Sequence, residues 1–291
     1  MAGIKTLVYF DIEATGLKSS GRPRITEVSF VAVNNQGILD LHRKIQNHVE
    51  TEKDNMLLES LLPRVINKLT LCIYPMATIM PDVTDITGLD NYNLTGQAKF
   101  DKNTAQLIKA FLSRLPAPIC LIAHNGNLYD FPLLRAEIDK VEEQLGYDIK
   151  CADSYVGMNV LLRKREEKLR KEKASKSRMY WLKKGKLIKT EVTTTGNKQT
   201  TTQSPINMGM NKSSSSEVLR LRHRSESSLT SFSLINLHQH LLGCTPARSH
   251  GAEADCLALM RITARLGQEW LDWVENNSSL FRDCLEMWGR F

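Results

Sequence analysis

Three short clusters in the chain combine acids and histidines at spacings that could do chemistry. The first is Val8-Tyr9-Phe10-Asp11-Ile12-Glu13-Ala14-Thr15-Gly16, an apolar run holding two carboxylates. Successive side chains on a strand alternate faces, so Asp11 and Glu13 point the same way. Two like charges on one face of a buried strand repel each other and resist desolvation. A cation between them removes both problems, and the stretch reads as half of a divalent-metal site. The second cluster, His124-Asn125-Gly126-Asn127-Leu128-Tyr129-Asp130-Phe131, is a strand end and loop, with Asp130 at a helix N-terminus. The third is His250-Gly251-Ala252-Glu253-Ala254-Asp255, with His250 on a loop and Asp255 about one turn into a helix. Singly, each acid has an ordinary use: Asp130 as a helix cap, Asp255 on a solvated helix face, Asp11 at a strand end. His250 alone is an ordinary loop residue.

The elements that position these clusters follow from hydrophobic patterning. Lys5 to Glu13 reads as a central strand, Ile25 to Val33 as a second, and Ile38 to Ile45 as a third. Asn34-Asn35-Gln36-Gly37 supplies the hairpin turn, so the opening is an antiparallel meander. Pro81 to Leu89 is a short helix ended by Gly88, and Asn103 to Leu115 is a helix stopped by Pro116. Ile119 to Ala123 is a buried strand, Tyr129 to Leu145 a helix, and Ile149 to Ala152 another strand. Ser154 caps a helix that runs into a basic stretch ending near Lys171. Roughly 171–228 is rich in Ser, Thr, Asn and Gln and reads as a mostly disordered insertion with a helical start. Helices resume from Ser231 to Leu242, Gly251 to Leu266 and Gln268 to Glu275. The predicted fold is α/β: a mixed central sheet, meander plus parallel strands, flanked by helices. It forms one domain over 1–291, with an ordered core at about 1–170 and 229–291.

Composition narrows the partners. The 291 residues carry a formal net charge of +7. Leu161 to Ser228 alone holds 18 Lys and Arg against 6 Asp and Glu, and the remaining chain 21 against 26. A locally basic, otherwise acidic chain points to a polyanion met by one region. The six cysteines are scattered without a Cys-x-x-Cys pair, which argues against a zinc ribbon or disulfide framework. No signal peptide or membrane-spanning run is evident, so the expected setting is the cytoplasm or nucleus.

The ordered set D-x-E, H-N-x4-D and H-x4-D resembles the DEDDh 3′→5′ exonucleases of the RNase H-like superfamily. Asp11-Ile12-Glu13-Ala14-Thr15-Gly16-Leu17, Ile86-Thr87-Gly88-Leu89, Tyr129-Asp130-Phe131-Pro132-Leu133-Leu134 and Ser231-Phe232-Ser233-Leu234 narrow it to the TREX-type three-prime repair exonucleases of animals. The resemblance implies four metal-binding carboxylates, Asp11, Glu13, Asp130 and Asp255, and His250 as general base. It implies two Mg²⁺ ions, with Mn²⁺ able to substitute, and hydrolysis of DNA from a free 3′ end to 5′-mononucleotides. It further implies that Leu17 and Ile86 wedge against terminal bases. Ala14, Thr15, Gly16, His124, Asn125 and Tyr129 are expected to hold the last nucleotide.

Arg163, Lys164 and Arg165 stand where a mobile DNA-binding segment is found in a family member, and are expected to contact phosphates. Arg64 to Ile73 resembles the edge strand through which such enzymes form homodimers. The sequence departs from the mammalian pattern in lacking a proline-rich tract and a hydrophobic tail, so no membrane anchoring is expected. Two alternatives stay open: a DEDDh exoribonuclease or proofreading-type exonuclease, and a catalytically idle nucleic-acid-binding module.

Overall fold

The backbone of Thr6–Ala14 forms strand β1, whose residues are buried on both faces except Asp11 and Glu13. Its even-numbered side chains, Val8, Phe10, Ile12 and Ala14, join one apolar core with Ile108, Leu112 and Phe131. Tyr9, on the opposite face, meets Thr263 through a 2.7 Å hydroxyl–hydroxyl hydrogen bond. Two-sided burial is what a central strand requires. The acids are therefore held at one end of a strand enclosed on both faces.

The computed structural model describes residues 3–17, 19, 21–50, 58, 60–194, 229, 231–247, 249–285 and 287. Strand β2 (Ile25–Asn34) pairs antiparallel with β1, and β3 (Asn67–Cys72) pairs antiparallel with β2. On the other side β4 (Ile119–Ala123) and β5 (Lys150–Asp153) add in parallel, and the short β6 (Ser279–Leu280) closes the row. The order is β3-β2-β1-β4-β5-β6, the expected mixed sheet with β1 inside it.

The meander is real, but its third strand is not the one expected. Residues 38–45 belong to helix α1 (Asn35–Glu50), and β3 takes the third place. Ile38, Leu41 and Ile45 are fully buried at helical spacing, and the Asn34 side chain accepts from the Gly37 N–H at 2.7 Å. Asn34 thus opens a helix, where a hairpin turn was expected.

Helices α2 (Pro81–Thr87) and α3 (Lys102–Ser113) follow. Asp101 caps α3, accepting from the Thr104 N–H. Helix α4 spans Asp130–Lys140 and α5 spans Ser154–Thr194. Helix α6 (Leu234–Leu242) is capped by Ser233, and Ser231, where the helix was expected to begin, accepts from the Ser233 N–H and the Asn236 side chain. Helices α7 (Ala252–Leu266) and α8 (Gln268–Asn277) complete the chain's helical layer.

The chain divides into two compact units, Met1–Asn159 with Leu229–Phe291, and Val160–Ser228. In the second, the helix continues well past Lys171, through Leu, Lys, Arg and Met residues of high helix propensity. Tyr180 and Trp181, both exposed, set their rings edge-on there at 5.6 Å. The expected disorder between 195 and 228 falls outside the described residues. Every cysteine is free, as the spacing suggests. Among the described residues no helix is long and apolar enough to cross a membrane.

Candidate active site

Asp11 and Glu13 leave β1 on the face covered by α7, whose first turn carries Asp255. One oxygen from each of Asp11, Glu13 and Asp255 can be chosen so that all lie within 4.8 Å of one another. Asp130, the first residue of α4, reaches the same cleft, where its Oδ1 accepts from the Ile12 N–H at 3.2 Å. The cleft encloses about 490 Å³, and His250 lines it with the four acids. The structure therefore gathers all five residues singled out from three distant stretches of sequence.

Each acid is held by specific backbone. The N-terminus of α7 is anchored to the sheet: Glu27, opposite Glu13 across the β1–β2 pair, accepts from the Ala252 N–H at 2.8 Å. Glu253 is tied to β3 by Lys68 at 2.7 Å and by the Thr70 hydroxyl at 3.1 Å. His250 adopts φ of 65° and donates its backbone N–H to Asp255 Oδ2 at 3.1 Å.

On the other side, Asp153 is buried at the end of β5 and accepts from the N–H groups of Asn125, Asn127 and Tyr155 at 3.0, 3.1 and 2.9 Å. It clamps the loop between β4 and Asp130. Gly126 is required in that loop, because a Cβ there would lie 2.5 Å from Ala123 Cβ and 2.8 Å from the Phe131 ring. Glu27 and Asp153 were not singled out from the sequence. Their only signal was an acid at a strand end, which many strands carry.

The electrostatics follow from crowding. Burial, then the carboxylates of Asp130, Asp255, Glu13 and Glu27, push the Asp11 carboxyl well above its ordinary range. Glu13 is pushed up to about 7 by burial, with Asp255 and Glu27 adding to it. Burial also raises Asp130 to about 7, against the N–H bond from Ile12, which favours its charged form. Asp255 is raised by burial, offset in part by the His250 N–H. Asp255 Oδ1 is buried with no hydrogen-bond partner among the described residues. A cluster of like charges with an orphaned acceptor fits a divalent cation, and hard oxygen donors suit Mg²⁺ or Mn²⁺.

The expected substrate residues divide. Leu17 stands 65 % exposed at the cleft, and Asn125 and Tyr129 line it. The Tyr129 hydroxyl already donates to Gly16 O at 2.5 Å, so it shapes the loop after β1. Ala14 and Thr15 are buried, and Thr15 bridges to Arg24, accepting from its N–H at 3.1 Å. His124 lines the cleft but spends both ring nitrogens internally, on Ser154 Oγ at 2.9 Å and Phe232 O at 2.8 Å. Those two bonds brace the ring between β4, α5 and the segment before α6. Ile86 is exposed on α2 and is not part of the cleft lining. Arg163 and Lys164 are exposed and Arg165 is half-buried, all in the second unit.

Comparison with known proteins bears on the arrangement directly. No family model matches the chain. Human three-prime repair exonuclease 1 is 32 % identical over 289 residues, which cover 98 % of this chain and 71 % of the human protein. The chain belongs to the three-prime repair exonuclease family. These are 3′–5′ exonucleases of the DEDDh type, and human three-prime repair exonuclease 2 is a second relative, 41 % identical over 152 residues (52 % of this chain, 59 % of that protein). Among solved structures, the nuclease domain of 3′hExo, described as a DEDDh family member bound to rAMP, superposes with a TM-score of 0.50 at 11 % identity, covering 91 % of this chain and 92 % of that one. E. coli exonuclease I in complex with a dT13 oligonucleotide gives a TM-score of 0.51 at 14 % identity, covering 89 % of this chain and 40 % of that one. These two likenesses establish that this three-prime repair exonuclease relative shares the RNase H-like sheet.

Proposed function

We propose that the protein is a metal-dependent 3′–5′ exonuclease that removes nucleoside 5′-monophosphates from DNA 3′ ends, single-stranded or frayed. The observation that carries this reading is the convergence of the Asp11, Glu13 and Asp255 oxygens within 4.8 Å. Asp130 and the exposed His250 share their cleft. The acids would hold two Mg²⁺ ions, or Mn²⁺ in their place. When bound, such ions favour deprotonation of water and stabilise charge on the leaving oxygen.

The chain's own groups account for the rest. A water oxygen attacks the terminal phosphorus, and the bond to the 3′-oxygen of the preceding nucleotide breaks. His250, exposed at the cleft edge, accepts the water's proton as general base. The leaving 3′-oxygen takes a proton from solvent. The Asp255 carboxylate, by accepting from the His250 N–H, fixes the base relative to the acids. Tyr129 holds the Gly16 carbonyl and so sets the loop that ends in Leu17.

Arg163, Lys164 and Arg165 are proposed to contact the phosphates of DNA further from the end. A homodimer is proposed to form through the edge strand, about 64–73. β3 is terminal in the sheet, so its outer backbone groups are open to a second copy. The cytoplasm or nucleus is the proposed compartment.

The test is single-stranded DNA and matching RNA, each labelled at the 3′ end, incubated with Mg²⁺ and with wild type or His250→Ala. Release of labelled mononucleotides from DNA by wild type and not by the variant is expected. Shortening of RNA alone would make the protein an exoribonuclease. Release from neither would leave only a binding module.

A further inference from the structure

The catalytic cleft carries an apolar residue that its acid chemistry does not use. Leu128 is 71 % exposed, yet it lines the cleft beside Leu17 and the carboxylates. A leucine left in water forgoes the stabilisation of burial, and a loose loop would fold it inward.

This loop is not loose. Asn125 sits at φ of 61°, in the left-handed region, and the Leu128 N–H donates back to Asn125 O at 3.2 Å. Asp153, only 4 % exposed, grips the turn from beneath with both carboxylate oxygens. The Phe131 N–H closes onto Gly126 O at 3.0 Å. A buried carboxylate, a residue in a disfavoured conformation and an obligatory glycine all serve one turn whose apolar side chain faces the cleft. Backbone strain of this kind persists where the surroundings over-determine it.

We propose that Leu128 packs against a nucleobase of the single strand near the 3′ end. The inference rests on the DNA-trimming reading above. The floor of the cleft is anionic: it suits cations, and a phosphate only through them, and it offers nothing to an apolar group. A strand whose phosphate lies at the acids carries its bases away from them on the far side of each sugar, toward the walls. Leu17 and Leu128 are the exposed leucines of those walls. Every base has an apolar face, so the contact grips any sequence.

The test pairs the Leu128→Ala variant with abasic substrates. Mg²⁺-dependent kcat/KM is measured on a single-stranded oligonucleotide and on three copies, each lacking the base at one of the last three positions. On the intact strand the variant should lose about fivefold or more, the scale of a lost base contact, chiefly through KM. On the strand abasic at the contacted position, wild type should fall to the variant's level and the substitution should cost nothing further. Leu128→Met, which keeps an apolar arm, should recover most of the loss. An equal loss on the intact and all abasic strands would make Leu128 merely structural, and no loss at all would remove it from the site. If wild type shortens no DNA, the parent reading fails first and takes this one with it.

Discussion

The backbone N–H of His250 and the carboxylate of Asp255 are joined at 3.1 Å, so the proposed base and one of the proposed metal ligands form a single unit. The bond uses Asp255 Oδ2 and leaves Oδ1 buried and without a partner among the described residues. The His250 ring has no part in it and lines the cleft. His250→Ala should therefore lower turnover by roughly a hundred- to ten-thousandfold, the usual scale of a general base. Affinity for Mn²⁺, measured by calorimetry on the same preparation, should stay within about twofold because the acids are untouched. A variant that loses metal affinity in step with turnover would place the imidazole among the ligands.

Crowding of the acids sets a pH signature for the metal-free protein. Glu13 and Asp130 rise to about 7 in the folded state, from about 4.3 and 3.9 in an unfolded chain. The folded state thus binds more protons than the unfolded one across that window. Their contribution is fully favourable below the unfolded values and is lost as pH rises through 7. With a chelator present, the melting temperature should fall from pH 5 to pH 8. Mg²⁺ should oppose the fall at the upper end, where the acids are ionised and bind it. Glu13→Gln should flatten the chelated curve, and a curve already flat in wild type would mean the acids do not repel one another as the cleft implies.

The loop that follows β1 is pinned by an ion pair between Arg24 and the buried Glu137, at 2.5 Å from Nε and 3.0 Å from Nη2. The Arg24 carbonyl also accepts from the Thr15 N–H and the Arg24 N–H donates to the Thr15 hydroxyl, closing the loop that carries Leu17. Removing the arginine strands a carboxylate that is 3 % exposed. Arg24→Ala should cost roughly 3–5 kcal/mol in denaturant unfolding and raise KM for DNA. The double variant Arg24→Met with Glu137→Met should regain most of the stability without regaining KM. A single variant that costs nothing would show that Glu137 finds water once its partner is gone.

Asp11 and Glu13 were legible as a pair because strand alternation puts them on one face, whereas Asp130, Asp255 and His250 joined them only through the resemblance to the DEDDh pattern. Asp11 and Glu13 inside an apolar run announce their own cost. The helix at 35–50 was misread because Asn34-Asn35-Gln36-Gly37 is as good a hairpin turn as it is a helix start. The i, i+3, i+7 spacing of Ile38, Leu41 and Ile45 was the better guide. The roles of Glu27 and Asp153 could not be read, since each acts on backbone more than 25 residues away. The internal bonds of His124 were out of reach for the same reason: its partner Phe232 lies 108 residues on, and only the fold brings it near.

Asp11 is the most exacting test of the site. It sits at the centre of the acids, with Asp130, Asp255, Glu13 and Glu27 all raising the cost of its charge. Asn has nearly the same shape and keeps a hydrogen-bonding tip, but it carries no charge. Asp11→Asn should therefore abolish most exonuclease activity and weaken Mn²⁺ binding. The same change should raise the melting temperature of the chelated protein at pH 8, where the repulsion is largest. Metal should then stabilise the variant less than wild type, because stabilisation by a ligand follows its affinity for the folded state. The two effects have opposite signs, so a general loss of structure cannot imitate them. If the variant unfolds, or melts lower than wild type with the chelator present, Asp11 is a structural residue and the metal site must be sought without it.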